Sequence, residues 1–126
     1  MIKQETILYK DTYNIHITKD YIDNILIEEI HYDNNNRITY RNNDECEIKT
    51  FYDINNIHYE LITYKDTNKE NRLRKIKLDT KNFGSEKHYI IDKATCTQLC
   101  TYNNDDAIKF LKEYIKKQIL KNYNLL

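Results

Sequence analysis

The sequence predicts an α+β fold that is mostly β: an antiparallel meander of seven or eight strands, a half-closed barrel or curled sheet, packed against a C-terminal amphipathic helix. Three observations predict it. β-Branched and aromatic runs of strand length recur over residues 1–100, separated by Asn clusters. Within two of those runs apolar and charged residues alternate with a period of two. After residue 103 the period becomes helical, with acidic residues at the start and lysines at the end.

Turn residues set the strand limits. The chain has no Pro and one Gly, so Asn is the residue left for positive φ. Asn clusters fall at 34–36, 42–43, 55–56 and 103–104. Strands are expected near 4–10, 14–19, 24–33, 37–41, 45–53, 57–65, 71–79 and 87–92. The third is ambiguous, because Ile22, Ile25, Leu26 and Ile30 also fit a helical stripe. The turn at 34–36 needs a partner arm just upstream of it, so strand is preferred, with a short helix at 20–26 as the alternative. In the fifth, Cys46, Ile48, Thr50 and Tyr52 oppose Glu47, Lys49 and Asp53, a half-buried pattern broken only by Phe51. Ile57, Tyr59 and Leu61 alternate with His58 and Glu60, and the short Asn55-Asn56 link makes the pair a hairpin.

The helix is expected over 104–123. Asn103 or Asn104 caps it, Asp105 and Asp106 face the positive end of the dipole, and Lys116, Lys117 and Lys121 lie at the other end. Ile108, Leu111, Ile115 and Ile119 form the stripe that docks on the sheet. This order of elements is similar to that of pleckstrin-homology-type barrels, a run of strands closed by a terminal helix, and the similarity implies topology alone. A cystatin-like or hotdog-like sheet wrapped on the helix is the alternative arrangement. Tyr32-Asp33 followed by Arg37-Ile38-Thr39 resembles the turn of YD-type β-repeat proteins over about ten residues, without their glycine, and reads as shared hairpin chemistry. Tyr52-Asp53 echoes it 20 residues later.

At 126 residues the chain is expected to form a single domain, 1–126, with the meander in 1–100. A mean hydropathy of −0.87 and the absence of a long apolar window lead us to expect a cytoplasmic protein with no membrane partner. Ile and Lys, Asn and Tyr, with their A/T-rich codons, displace Val and Ala, and Tyr alone numbers 12. That suits an AT-rich genome: a low-GC bacterium, a phage or plasmid, or a large virus, whose products work in the host cytoplasm.

Chemistry-bearing motifs are sparse. Gly84 stands alone, so no glycine-rich phosphate cradle is expected. Cys46, Cys96 and Cys100 lack paired metal-ligand spacing and read as small buried hydrophobes, with no metal and no cofactor. Ser85 lies in a tight turn and not in a nucleophile elbow. Neighbouring carboxylates such as Glu28-Glu29 point to opposite faces of a strand. No catalytic residue emerges, and the chain is expected not to be an enzyme.

Charge is the unusual feature. Residues 1–60 hold 6 Lys and Arg against 12 Asp and Glu, a net −6, whereas residues 61–126 hold 14 against 8, a net +6. If strands of the two halves are neighbours, the charges intersperse. If the halves segregate, the molecule has an acidic and a basic face, suited to an acidic protein surface or to a homo-oligomer. Candidate partner-binding residues are Lys69, Arg72, Arg74, Lys75 and Lys77 in the densest basic stretch, with Tyr32, Tyr52 and Tyr64 beside turns. Nucleic acid, with Tyr64 and Tyr89 stacking on bases, and an anionic small molecule are the alternative partners. As outward residues of a strand, Arg74 and Lys77 are expected to tolerate charge reversal without cost to folding. Function then divides between two readings: a non-enzymatic inhibitor, immunity or anti-defence protein, and a nucleotide- or anion-binding β-barrel.

Overall fold

In a computed structural model the protein is described over residues 2–8, 16–78 and 85–123. Eight strands are followed by two helices: β1 (Ile2–Leu8), β2 (His16–Ile22), β3 (Ile25–Tyr32), β4 (Ile38–Asn43), β5 (Cys46–Tyr52), β6 (Ile57–Tyr64), β7 (Arg72–Lys77), β8 (Ser85–Ile90), α1 (Lys93–Leu99) and α2 (Asn104–Tyr123). The strands form one antiparallel sheet in sequence order, β1 to β8, which does not close. Gly84 and the expected strand limits at residues 9–10, 14–15 and 79 lie outside the described residues.

Asn does the work of glycine at the turns. Positive φ occurs at Asp23, Asn24, Asn36, Asn55 and Asn56, the conformation that costs other side chains most. Asn43 acts through its side chain instead, its Oδ1 accepting from the amides of Glu45 and Cys46 at 2.9 and 3.0 Å. Asp23 and Asn24, with φ of 51° and 66°, make the two-residue turn that joins β2 to β3. Residues 20–26 are therefore a hairpin tip and not a helix, and Ile25 at that tip is 68% exposed.

Residues opposite one another in successive registers share a face. One such row runs through His31, Tyr40, Lys49, Leu61, Leu73 and Tyr89. The helices pack on this face, where Phe51, Tyr59, Leu61 and Leu73 meet Ile91, Cys96, Leu99, Ala107, Ile108, Leu111 and Ile115. Each large side chain buried there contributes about 1.5–3 kcal/mol. The α2 stripe ends at Ile115, since Ile119 is 40% exposed. On the other face Ile30, Cys46, Thr50, Ile62 and Ile76 are also buried, although neither helix lies there. β5 is thus buried on both sides and Phe51 is no exception: it faces the helices, while Thr50 faces the opposite side.

The meander ends at Ile90, not at residue 100. α1 follows, capped by Asp92, whose Oδ2 accepts from the Thr95 amide at 3.0 Å and whose Oδ1 accepts from its hydroxyl. α2 is capped by Asn103, whose Oδ1 accepts from the Asp106 amide at 2.8 Å, with Asp105 and Asp106 in the first turn. Asn104 has a different task. Its side-chain amide accepts from the Tyr52 amide at 2.9 Å and donates to the Tyr52 carbonyl at 2.8 Å, so the helix start is bonded to the end of β5 as a further strand would be.

Candidate functional site

Strand order decides what becomes of the charge. In a meander without crossovers, positions along the sequence become positions across the sheet. β1 to β5 and the start of β6 carry the acidic half; the rest of β6, β7, β8 and both helices carry the basic half. The halves meet along the middle of the sheet and again where α2 packs on β5, with Lys112 pairing to Asp53 at 2.8 Å and Asn104 bonded to Tyr52.

The basic stretch does not form one surface. β7 is internal, paired with β6 on one side and β8 on the other, so its residues alternate between faces. Arg72 and Arg74 lie on the face without helices; Lys75 and Lys77 lie on the helix face, as Leu73 does. Arg74 is engaged: its Nε donates to Glu60 Oε1 at 2.8 Å, its Nη2 reaches the same oxygen, and its Nη1 lies 3.8 Å from Glu86. Arg74 is thus no freely exchangeable outward residue. Lys75 faces the surroundings of Asp53. Burial raises the Asp53 carboxyl, but the Lys112 ammonium at 2.8 Å and the Ile54 amide outweigh burial and hold it below the usual carboxylate range.

Three of the candidates do come together at the β6–β7 turn. Asp66 folds this turn, its Oδ1 accepting from the Asn68 amide at 3.0 Å and its carbonyl from the Lys69 amide at 3.1 Å. Lys69 is thereby turned back over Tyr64, its Nζ 5.3 Å from the ring centroid. Tyr64, Lys69 and Arg72 line a depression of about 500 Å³. A larger cleft of about 690 Å³ adjoins it, where Tyr64 and Lys69 are joined by Asn71, Ile90, Lys93 and Tyr114. Lys93 and Tyr114 were not among the sequence candidates. Only the return of α1 and α2 to the sheet brings them here.

Tyr32 and Tyr52 lie away from this end. Tyr32 is half-buried at the end of β3, opposite Ile38 and His16. Tyr52 is a brace: its hydroxyl donates to the Ile38 carbonyl at 2.5 Å, and its ring lies under the Arg37 guanidinium at 4.3 Å. Asp33 holds that guanidinium at 3.0 Å and also accepts from the Asn35 and Arg37 amides, so the Tyr-Asp echo is hairpin architecture. Burial, then the Asp33 carboxylate, pushes the Tyr52 phenol up.

A third hollow, about 430 Å³, lies between the sheet and the α1–α2 connection, among His31, Tyr40, Lys49, Phe51, Cys100 and Tyr102. The His31 and Tyr40 rings meet edge-on at 4.8 Å. Lys49 Nζ donates to the Cys100 carbonyl at 3.3 Å and lies 5.3 Å from the Phe51 ring centroid. No sequence spacing signals this site, since its residues meet through cross-strand register.

The cysteines are dispersed. Cys46 is buried on the face without helices, Cys96 in the helix-side core, and Cys100 is exposed. Burial pushes both buried thiols up. Among the described residues no three His, Cys, Asp or Glu side chains converge as a metal site requires, and no helix is long and apolar enough to cross a membrane. In comparisons with known proteins the chain matches no family model, no curated protein and no solved structure.

Proposed function

We propose that the protein is a non-enzymatic interaction module that docks the basic end of its sheet onto an acidic protein surface, as an inhibitor, immunity or anti-defence protein of a phage or mobile element would in the host cytoplasm. One observation supports the reading: in a chain with no net charge, β7 carries four cations and no anion, and its Arg72 meets Lys69 and Tyr64 at the β6–β7 turn. Tyr64, Lys69 and Arg72, with Lys93 behind them, form the docking group. Aromatic and Arg anchors in a concave patch are the usual sources of interface energy, and the surrounding lysines speed encounter.

The test uses Lys69→Glu with Arg72→Glu. Both residues are exposed, so the double variant should melt with the wild type. Immobilised wild type should retain a host protein at low salt and release it at high salt, and the double variant should retain none. Equal retention by both would place the docking surface elsewhere.

A second reading, an anionic small ligand, is favoured by the aromatic walls and single ammonium of the Lys49 hollow. Thermal stabilisation by one member of a nucleotide and carboxylate panel, lost in Lys49→Met, would select it. A panel with no effect would remove it.

A further inference from the structure

Cross-strand register builds the Lys49 hollow. His31, Tyr40 and Lys49 are partners in one row across β3, β4 and β5. Adjacent strands lie ~4.8 Å apart, so the row spans ~10 Å between the His31 and Lys49 backbones, with Tyr40 midway. Phe51 on β5 and Tyr102 on the α1–α2 connection add two further rings, and the space among them measures about 430 Å³. Among the described residues that line it, half-buried Lys49 is the one lysine, arginine or carboxylate.

The other polar side chains of the hollow are engaged. The Thr39 hydroxyl donates to the His31 carbonyl at 3.4 Å, and the Tyr102 hydroxyl accepts from the Gln98 side-chain amide at 2.7 Å. Tyr40 is hydrogen-bonded to Glu47, and His31 Nε2 lies 3.4 Å from Glu29 Oε2. The Asn104 amide is held in both directions by the Tyr52 backbone. Lys49 differs, because an ammonium has three N–H donors. One goes to the Cys100 carbonyl at 3.3 Å. Two are left for a ligand, which matches the two oxygens of a carboxylate. Burial, then the Glu47 and Glu29 carboxylates, pushes the Tyr40 phenol up. The same field resists a second negative charge in the hollow.

We propose that this hollow binds a planar aryl monocarboxylate, with its carboxylate on Lys49 Nζ and its rings against Tyr40, His31 lying beyond. At ~30 Å³ for each water-sized volume, 430 Å³ holds about fourteen non-hydrogen atoms. That is room for a bicyclic aryl acid and too little for a nucleoside monophosphate, whose phosphate also brings the second charge. Flat rings suit these walls, since aromatic groups attract one another in offset and edge-on arrangements, and His31 and Tyr40 already meet edge-on at 4.8 Å. The inference rests on the reading of this hollow as an anion site and narrows it to one class of anion. Docking at the β6–β7 turn is independent of it.

Amide chemical-shift titration of the full chain tests it, with four probes: naphthoate, naphthamide, the fully saturated analogue of naphthoate, and adenosine monophosphate. Naphthoate should bind with a Kd below about 1 mM and shift the amides of His31, Tyr40, Lys49 and Cys100. Naphthamide, which keeps the rings and lacks the charge, should bind at least about tenfold more weakly. The saturated acid should also bind more weakly than naphthoate. Lys49→Met should melt within a few degrees of wild type and lose about tenfold in naphthoate affinity. The amide comparison needs no variant and stands if Lys49→Met does not fold. The proposal is overturned by naphthoate that shifts none of these amides at about 10 mM, or by naphthamide or the saturated acid binding as tightly as naphthoate. Adenosine monophosphate binding at these amides without naphthoate would overturn the aryl-acid assignment and leave the anion reading in place. Silence from all four probes would remove both.

Discussion

Reversing the charge of Arg74 should unfold the protein at a much lower temperature. The guanidinium donates to Glu60 and lies 3.8 Å from Glu86, with the Arg74 and Glu60 side chains 31% and 15% exposed. That places the pair between an exposed ion pair and a buried one, so loss of the arginine alone costs about 1–3 kcal/mol. A glutamate in its place adds repulsion, about 4 kcal/mol for like charges 4 Å apart at an effective dielectric near 20, and less once the new side chain swings toward water. A total of about 3–5 kcal/mol is a large share of a stability of about 5–15 kcal/mol. For a domain of this size it lowers Tm by about 10–20 °C.

The assay is thermal melting of Arg74→Glu beside Arg74→Met at pH 7 and again near pH 4, where carboxylates begin to take up protons. Arg74→Met should lose clearly less, and the deficit of Arg74→Glu should narrow in acid. An Arg74→Glu protein melting within about 2 °C of wild type would show that the Glu60 pair contributes no more than an exposed one.

Ile115→Asp places a charge among Leu99, Leu111 and the β-sheet core. It should cost several kcal/mol and leave the protein largely insoluble, whereas a wild-type Tm would mean α2 is not docked through this residue. Replacing Cys46, Cys96 and Cys100 together by Ala should lower stability by about 1–3 kcal/mol, nearly all of it from the two buried thiols, and spare partner retention. Retention lost with the fold intact would give a thiol a binding role. Burial pushes His58 below its ordinary value of 6.5, with Arg74 adding to the effect and Glu60 and Glu86 opposing it. The unfolded chain thus takes up this proton at higher pH than the folded one. Stability should be full above about 6.5 and decline as pH falls toward the folded value, a slope that His58→Asn should flatten and that an unchanged slope would refute.

The eight strands and the long helix were legible because their signals are local. Asn clusters stand where the backbone needs positive φ, as at Asn36, Asn55 and Asn56, or a side-chain cap, as at Asn43 and Asn103. α1 was missed although Asp92 and Thr95 spell its cap, because seven residues with two threonines carry little helical periodicity and the core supplies what propensity lacks. Arg74 was misjudged for another reason. Its partner Glu60 is 14 residues away and becomes its neighbour only through the β6–β7 register, which period-two alternation cannot report. The Tyr64, Lys69 and Arg72 group was legible as one basic stretch beside a turn. Lys93 and Tyr114 reach the same cleft from separate helices, and only tertiary packing sets them there.

Charge asymmetry along a sequence ordinarily says little about a surface, because crossovers mix early and late strands. Here each strand pairs only with its sequence neighbours, so the four cations of β7 stay together toward one end of the sheet, apart from the Glu28-Glu29 pair of β3. The consequence is measurable without any partner. With equal numbers of acidic and basic residues and a sequence pI near 6.9, a protein with interspersed charge should pass through both anion and cation exchangers at pH 7. A segregated one should be retained on both at low salt, each resin meeting a different end, and should elute from both as salt shortens the screening length. Lys69→Glu with Arg72→Glu should weaken retention on the cation exchanger and leave the acidic end bound to the anion exchanger. Flow-through of the wild type on both resins would show that the halves, though apart in the sheet, do not act as separate faces, and the basic end would then lose its claim as the docking surface.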